Sequence, residues 1–253
     1  MTRDELLRLV TTNLDVRDDA EAWSQRPGAV LYSNMSTIRP GRFYLLGINP
    51  GGVGGSSIRE TLCAEEGTNH FADQCWQPSC STTCEHLDPI TGRLRPEARV
   101  PMQERVCDLI EALGAAPADI LSTNLTFARS SKLDKLSNPR EWFRRCWPVH
   151  QALLREVRPA WIVMLGYGEA YYFVTERGTA KGDQQPIGSG SAVAWHRRLS
   201  LPLGEGPALE TRVLAVAHPG TRGFARAGLG AARRYPDELK DFIAANVRTE
   251  CAV

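Results

Sequence analysis

The stretch that decides the fold is a short apolar run that ends abruptly in a polar side chain between Gly and Pro, Phe43-Tyr44-Leu45-Leu46-Gly47-Ile48-Asn49-Pro50-Gly51-Gly52. An apolar run of this length, bounded by turn residues, is typical of a parallel strand buried on both faces. In open α/β sheets, ligands bind beyond the carboxyl ends of such strands. The stretch therefore predicts a strand over 42–48 and places Asn49 at a ligand-binding edge.

Three further runs have the same character, and two of them also end in a polar side chain. The run 119–123 stops at Asn124, the run 212–217 stops at His218-Pro219-Gly220, and the third run covers 160–166. Because the carboxyl ends of parallel strands meet at one edge of a sheet, we expect Asn49, Asn124 and His218 to share one crevice.

Apolar residues at helical spacing separate these strands. They predict helices over 4–13, from Met102 to a stop at Gly114, over 140–157 and over 236–247, and Pro148 marks a new helix start or a kink in the third. Alternating helices and strands predict an α/β fold, a three-layer α/β/α arrangement around a central, mainly parallel four-stranded sheet. The 253 residues, 42% hydrophobic, suit a single domain over 1–253.

Two segments have no clear periodicity. Residues 178–190 are polar and contain glycine, which predicts an exposed loop. Residues 63–100 form an irregular, Cys-containing insertion, and a structureless segment of that length is typically functional or mobile. Its residues include possible metal ligands, but their spacing lacks a Cys-x-x-Cys pair, so ordinary thiols are favoured and no metal is predicted: Cys63, His70, Cys75, Cys80, Cys84 and His86.

The 30 basic and 29 acidic residues nearly balance, so the net charge does not indicate a nucleic-acid or membrane partner. Between Arg212 and Arg234, however, the chain carries Arg222, Arg226 and Arg233 and no acidic residue, and such a stripe can meet phosphates. The sequence contains no membrane span and no signal-peptide core, which predicts a cytoplasmic protein with reduced thiols.

Several of these motifs resemble those of the uracil-DNA glycosylase superfamily. Gly47-Ile48-Asn49-Pro50-Gly51 resembles its first motif, in the Asn form of the mismatch-specific and single-strand-selective branches. His218-Pro219-Gly220 resembles the second motif, usually His-Pro-Ser, and Thr123-Asn124-Leu125 resembles the strand-end Asn that reads the base. Asn138-Pro139 through Cys146, with Val157-Arg158-Pro159 and the strand that follows, is similar to a helix–strand unit of the superfamily. The resemblance spans about residues 42–235 as separate islands.

This resemblance implies a uracil-DNA glycosylase-like fold and a monofunctional DNA glycosylase of base-excision repair. Such an enzyme hydrolyses the N-glycosidic bond of uracil or another deaminated base, needs no cofactor, and acts on DNA, here as a monomer. Asn49 would orient a water molecule against the sugar, and His218 would donate a hydrogen bond to the oxyanion developing at O2 of the base.

The resemblance also implies two sets of binding residues. Asn124 would pair with the polar edge of a flipped-out base, and Gly47, Ile48 and Phe71 complete the base-binding set. The DNA backbone would be met by small residues that allow close approach and by two arginines: Pro50, Gly51, Gly52, Pro219, Gly220, Thr221, Arg222 and Arg226.

The sequence departs from the superfamily pattern at several positions. Gly220 replaces the usual Ser and removes one phosphate contact. The loop after the first motif is rich in Gly and Ser, so the first aromatic candidates for stacking on the base are Phe71 and Trp76. Gly52 stands where the best-known uracil enzyme has Tyr, which leaves space for a bulkier base. No Cys precedes Cys63, so the Cys pair that binds an iron–sulfur cluster in some branches is absent.

Two other functions fit parts of the sequence. A non-catalytic nucleic-acid-binding homologue of the same fold would sense damaged or flipped bases. A small-molecule enzyme would hold a phosphate with the loop Gly51–Gly55, although this loop lacks both the Lys-Ser/Thr ending of a P-loop and the Gly-x-Gly-x-x-Gly spacing of a dinucleotide fold.

Overall fold

A computed structural model describes residues 1–16, 21–52, 54–63, 69–74, 76, 88, 94–188, 193–204, 206–220, 224, 229, 232 and 234–248. The strands are β1 (Phe43–Gly47), β2 (Leu121–Asn124), β3 (Trp161–Leu165), β4 (Thr179–Ala180), β5 (Gln185–Ile187), β6 (Ala194–Leu201) and β7 (Leu209–Val216). The helices are α1 (Arg3–Leu14), α2 (Ile58–Cys63), α3 (Pro101–Ala112), α4 (Pro139–Val157), α5 (Glu169–Thr175) and α6 (Asp237–Phe242), which continues as a π-helix over Ile243–Arg248. Short 3-10 turns lie at Trp23–Gln25, Met35–Thr37, Pro96–Ala98, Pro117–Asp119 and Leu133–Lys135.

The parallel half of the sheet consists of the four strands that the sequence predicts. β1 lies between β2 and β3, and β3 pairs in parallel with β7. β1, β2 and β3 are buried at every position. β1 and β3 consist of apolar and aromatic residues, as is typical of strands covered on both faces, so their runs stand out in the sequence, whereas β2 buries Ser122, Thr123 and Asn124. An α/β fold with a mainly parallel sheet is therefore confirmed.

The sheet continues beyond β7 with three antiparallel strands. β6 pairs with β7, and the short strands β4 and β5 both pair with β6. The predicted four-stranded sheet is therefore wrong, since the described residues form seven strands. The exposed loop predicted over 178–190 is also wrong where β4 and β5 lie. Polar and basic residues interrupt the apolar run in β6, as an antiparallel strand with one solvated face allows, so periodicity did not reveal it.

Helices cover both faces of the sheet. On one face, Tyr44 and Leu46 of β1 belong to the same buried core as residues of α1, α4 and α5. On the other face, Phe43 and Leu45 share a core with residues of α3 and α6. Alternate side chains of β1 thus enter opposite cores, which gives the described part of the chain three layers. None of the helices in the described residues has both the length and the apolar character needed to cross a bilayer.

Capping residues, a proline and a glycine mark where several helices begin or end. Thr2 and Glu5 form a reciprocal capping box at the start of α1, and Pro101 occupies the first turn of α3. Gly114, with φ of +73°, follows the end of α3. α4 runs through Pro148 without interruption, so no new helix begins there.

A segment outside the strands covers the free edge of β2, and we call residues 27–32 the β2 strap. It forms isolated antiparallel bridges from Gly28 to Ala128 and from Leu31 to Thr123. The backbone N–H of Tyr32 donates to the carbonyl oxygen of Ser122 at 2.8 Å. The predicted insertion over 63–100 lies largely outside the described residues, and the single domain over 1–253 stays a prediction.

A buried histidine ties α4 to the parallel strands. His150 Nε2 lies 3.2 Å from the carbonyl oxygen of Leu125, and its Nδ1 lies 2.8 Å from the Tyr44 hydroxyl. Since a carbonyl only accepts, Nε2 carries the proton and the Tyr44 hydroxyl donates to Nδ1. Burial lowers the pKa of His150 from 6.5 to about 4, against the opposing effect of the Leu125 and Asn124 carbonyls.

We expect His150 to make the fold sensitive to acid. Above pH 6.5 the ring is neutral in both the folded and the unfolded chain and contributes no pH dependence. Between pH 6.5 and about 4 the unfolded chain takes up a proton that the native state excludes, so the free energy of unfolding falls by about 3 kcal/mol at most across this range. Urea unfolding of the wild type and of His150→Gln, from pH 7.5 to pH 4.5, measures this. An equally steep loss of stability in both proteins would contradict the assignment.

Candidate active site

The structure brings the predicted strand-end residues to one edge of the sheet. Gly47 of β1 is paired with Asn124 of β2, and Leu165 of β3 with Val216 of β7. The chain leaves β1 toward β2 on one side and returns to β3 on the other, so the topological switch point lies between β1 and β3. We call the edge formed by Asn49, Asn124, Gly166 and His218 the strand-end crevice.

Gly166 shows how closely this crevice is packed. A Cβ added at Gly166 would lie 2.9 Å from Ile48 Cδ1 and 3.4 Å from His218 Cδ2. Its φ of +129° is also a conformation that favours glycine. The segments that follow β1, β3 and β7 therefore meet here, and Ile48 and His218 face one another across Gly166.

Asn49 is half-buried and is held through its amide nitrogen. Nδ2 donates to the carbonyl oxygens of Pro50 at 3.0 Å and Ser130 at 2.8 Å, and it lies 3.1 Å from Ser130 Oγ. Because the amide oxygen is bonded to the other side of the same carbon, Oδ1 is turned away from these acceptors. The side chain is thus fixed in an orientation that leaves Oδ1 to accept a hydrogen bond from a ligand.

Asn124 presents a buried donor to the crevice. Its side chain is 3% exposed, and no hydrogen-bond partner for Nδ2 is found among the described residues. Its Oδ1 rests against Gly47, where an added Cβ would lie only 2.2 Å away. An unpaired buried donor costs about 1–3 kcal/mol, so a ligand that supplies the missing acceptor would recover this cost.

The loop after β7 fixes the tautomer of His218. The backbone N–H of Gly220 donates to His218 Nδ1 at 3.0 Å, so Nδ1 is the acceptor and the neutral ring carries its proton on Nε2. Burial lowers the pKa of His218 below its ordinary value of 6.5, which favours this neutral form. The glycine at 220 allows this contact, because a Cβ there would lie 2.9 Å from Nδ1. His218 therefore offers an Nε2–H donor.

Buried groups of the opposite core anchor the same loop. Arg105 of α3 is almost completely buried, and it donates through Nη1 to the carbonyl oxygen of Pro219 at 2.7 Å and through Nε to that of Ala232 at 2.8 Å. The Tyr235 hydroxyl donates to the carbonyl oxygen of Ala217 at 2.7 Å. These bonds hold the backbone on both sides of His218.

The loop after β1 is exposed and lies beside a cation. Gly51 and Gly52 are exposed, and Gly52 has a φ of +91°. Arg129 Nη1 donates to the Gly51 carbonyl oxygen at 2.7 Å, and the N–H of Ser130 donates to that of Pro50 at 3.0 Å. Backbone that lacks side-chain bulk, next to a guanidinium, is suited to approach a phosphate group.

The predicted base-stacking residue Phe71 lies in the core. It is 2% exposed, and its ring centre lies 5.3 Å from that of Tyr32 and 5.6 Å from that of Trp76. Burial raises the pKa of the neighbouring Tyr32 above its ordinary value of 10, against the smaller lowering effects of Arg129, Gly51 and Asn124.

Part of the predicted site lies outside the described residues. This holds for the DNA-binding candidates Thr221, Arg222 and Arg226 and for Cys75, Cys80, Cys84 and His86 of the cysteine-rich segment. Within the described residues, no group of three or more His, Cys, Asp or Glu side chains is arranged to hold a metal ion. Cys146 is a buried residue of α4, and burial raises the pKa of its thiol.

Sequence reasoning missed three residues of this site. Arg129 and Ser130 lie on the segment that follows β2, where the strand-end rule, extended by a few residues, would have found them. Arg105 interrupts the apolar face of α3 formed by Met102, Val106 and Leu109, and a basic residue on such a face is a usable signal.

Comparison with known proteins adds no family to this geometry. Neither the family models nor the curated proteins with which the chain was compared match it. The resemblance to the uracil-DNA glycosylase superfamily therefore stays a hypothesis, and the functional interpretation rests on the arrangement of Asn49, Asn124 and His218.

Proposed function

We propose that the protein is a DNA glycosylase that hydrolyses the N-glycosidic bond of uracil or another deaminated base in DNA, on a uracil-DNA glycosylase-like fold. The observation that carries the proposal is the convergence of Asn49, Asn124 and His218 at one edge of the sheet, each with a polar atom that forms no hydrogen bond to the described residues. No residue of this trio needs to be charged for the reaction that we describe.

Base binding is the first step. A flipped-out base would enter the strand-end crevice and offer an acceptor to Asn124 Nδ2, which is buried and without a partner in the described structure. Extraction of the base from the stack costs a few kcal/mol, and this pairing would offset part of that cost.

Departure of the base is the second step. As the bond from C1′ to the base nitrogen breaks, both bonding electrons go to the base, and positive charge builds on the sugar. The Nε2–H of His218 would donate to the base oxygen on which negative charge develops. Since Gly220 fixes the ring tautomer beforehand, this donor needs no reorganisation during the reaction.

Capture of water is the third step. Asn49 Oδ1 would accept a hydrogen bond from a water molecule and hold its oxygen toward C1′. The water oxygen forms the new bond to C1′, and its second proton passes to solvent or to the departing base. An amide is a weak base, so Asn49 would act by positioning rather than by removing a proton.

We expect Asn49→Ala to reduce base release at least about a hundredfold, because the positioned water is lost. Labelled single- and double-stranded oligonucleotides that contain uracil, hypoxanthine, xanthine or a G·T mismatch, followed by alkali cleavage of abasic sites, measure release. Asn246→Ala is the matched control, since Asn246 is exposed on the closing π-helix. Equal turnover by Asn49→Ala and wild type would refute the role, and DNA binding without release by wild type would favour the non-catalytic homologue.

Gly47→Ala should also lower base release, by about tenfold or more, because its Cβ would occupy the space 2.2 Å from Asn124 Oδ1 and displace the amide. Gly41→Ala is the control, since a Cβ at Gly41 meets its nearest neighbour at an ordinary 3.5 Å. The thermal midpoints of both variants separate misfolding from a local effect. Wild-type release by a folded Gly47→Ala protein would rule out the Asn124 pairing.

Activity should fall on the acid side only below pH 6.5. The lowered pKa of His218 keeps the ring neutral above that pH, and protonation of Nδ1 at lower pH would break its bond from Gly220. Single-turnover rates from pH 4.5 to pH 8.5 test this, with His218→Gln as the variant that should lose both rate and this acid limb. An acid limb that persists unchanged in His218→Gln would show that another group titrates.

A further inference from the structure

The segment that follows β2 runs alongside the loop that carries Asn49. Three backbone hydrogen bonds join the two, each from an N–H of the segment to a carbonyl oxygen of the loop at 2.9 to 3.0 Å: Leu125 to Gly47, Thr126 to Ile48 and Ser130 to Pro50. Ser130 is 8% exposed. The fold therefore holds Ser130 in a fixed position against Asn49, although 81 residues separate the two in the chain.

The amide nitrogen of Asn49 faces three oxygen atoms. Two are the carbonyl oxygens of Ser130 and Pro50, at 2.8 and 3.0 Å, and the third is Ser130 Oγ, at 3.1 Å. The Ser130 hydroxyl donates its single proton to the carbonyl oxygen of Lys132 at 2.6 Å, so toward Asn49 its oxygen can only accept. All three oxygens therefore require a donor at the position of Asn49 Nδ2.

This arrangement distinguishes an amide from a carboxylate. The Asn49 amide carries two N–H donors, whereas an ionised carboxylate has acceptor oxygens alone. A carboxylate oxygen in the place of Nδ2 would lie within 3.1 Å of three other oxygens, with no proton between them. The Ser130 hydroxyl would relieve one of these contacts only by leaving the Lys132 carbonyl without its donor. The surroundings therefore select a neutral amide at position 49, even though a carboxylate is the stronger base.

The same bonds act on the other end of the amide. Hydrogen bonds that are linked in a chain polarise one another, and donation from the nitrogen of an amide increases the negative charge on its oxygen. The chain here runs from Asn49 Nδ2 to Ser130 Oγ and on to the Lys132 carbonyl oxygen. Asn49 Oδ1, which is left to hold a water molecule, is thus a stronger acceptor than the oxygen of a free amide.

We propose that Ser130 is a positioning residue of the glycosylase site, whose two oxygens hold the Asn49 amide with Oδ1 toward the water molecule and exclude a carboxylate from position 49. This inference rests on the proposed function, and Ser130 lies outside the strand-end motifs. Asn49→Asp accordingly slows base release, although it supplies a stronger base.

The first test replaces the amide by a carboxylate of nearly the same shape. We expect Asn49→Asp to lower single-turnover release of uracil at least about tenfold at pH 8, because the carboxylate turns away from the three oxygens and no longer positions the water. Asn246→Asp is the matched control, since Asn246 is exposed on the closing π-helix. Release by a folded Asn49→Asp protein at the wild-type rate or faster would overturn the proposal.

The second test removes the Ser130 hydroxyl and keeps the backbone carbonyl. We expect Ser130→Ala to lower kcat for uracil release about fivefold with KM unchanged, as for loss of one neutral hydrogen bond. Ser131→Ala, at the exposed neighbouring position, should have no effect. In the Asn49→Ala background, Ser130→Ala should cause no further loss, because Ser130 acts through the Asn49 amide. A loss of equal size in both backgrounds would show a merely structural role and would overturn the proposal.

Failure of the proposed function would be recognised separately. If the wild type releases no base from any oligonucleotide, the glycosylase proposal is refuted, and the placement of the Asn49 amide is then decided by NMR spectra of the side-chain amides of ¹⁵N-labelled protein. The Asn49 pair of signals is the pair that Asn49→Ala removes. We expect Ser130→Ala to shift this pair and to speed its exchange with solvent, and Ser131→Ala to leave it in place. An Asn49 pair that Ser130→Ala leaves unchanged would overturn the role of Ser130.

Discussion

The parallel register of β1 between β2 and β3 is the constraint on which the site depends. It sets Gly47 opposite Asn124 and Leu46 opposite Met164. Since side chains alternate between the two faces of a strand, a slip of one residue would exchange the two cores and bring a leucine to the position beside the Asn124 amide. The tight fit of the amide against Gly47 therefore requires the same register as the separation of the two cores.

Strands that are buried on both faces were predictable from the sequence, whereas strands with one exposed face were not. Apolar runs marked β1, β3 and the buried end of β7, and the polar residues that follow the predicted runs located Asn49, Asn124 and His218. The antiparallel β6 is only partly buried and carries His196 among basic neighbours, so no strand was predicted there.

The parts of the site that the sequence did not reveal depend on contacts distant in the chain. Arg105 meets Pro219 across 114 residues, and Asn49 meets Ser130 across 81. The spacing of residues along the chain does not reveal such pairs, because only the topology of the sheet brings them together. The β2 strap is the extreme case, since it owes its position to edge bridges rather than to any pattern of its own.

The three side chains of the proposed site are uncharged, whereas the loop that carries one of them is anchored by a buried cation. Asn49, Asn124 and the neutral His218 present uncharged polar groups to the crevice. The buried guanidinium of Arg105 donates instead to the backbone carbonyl oxygens of Pro219 and Ala232. A buried guanidinium is costly to desolvate, so removal of its acceptors would be strongly destabilising. The loop that carries His218 is thus held in the one backbone arrangement that supplies these acceptors to Arg105.

The β2 strap has an evolutionary consequence. It covers the edge of β2 by backbone bridges, and these hydrogen bonds do not depend on which side chain stands at position 32. The residues proposed to act on the sugar and on the leaving base belong to other loops. Substitutions at position 32 therefore leave the edge of β2 covered, so the protection of this edge against pairing with another chain does not restrict which side chain evolves there.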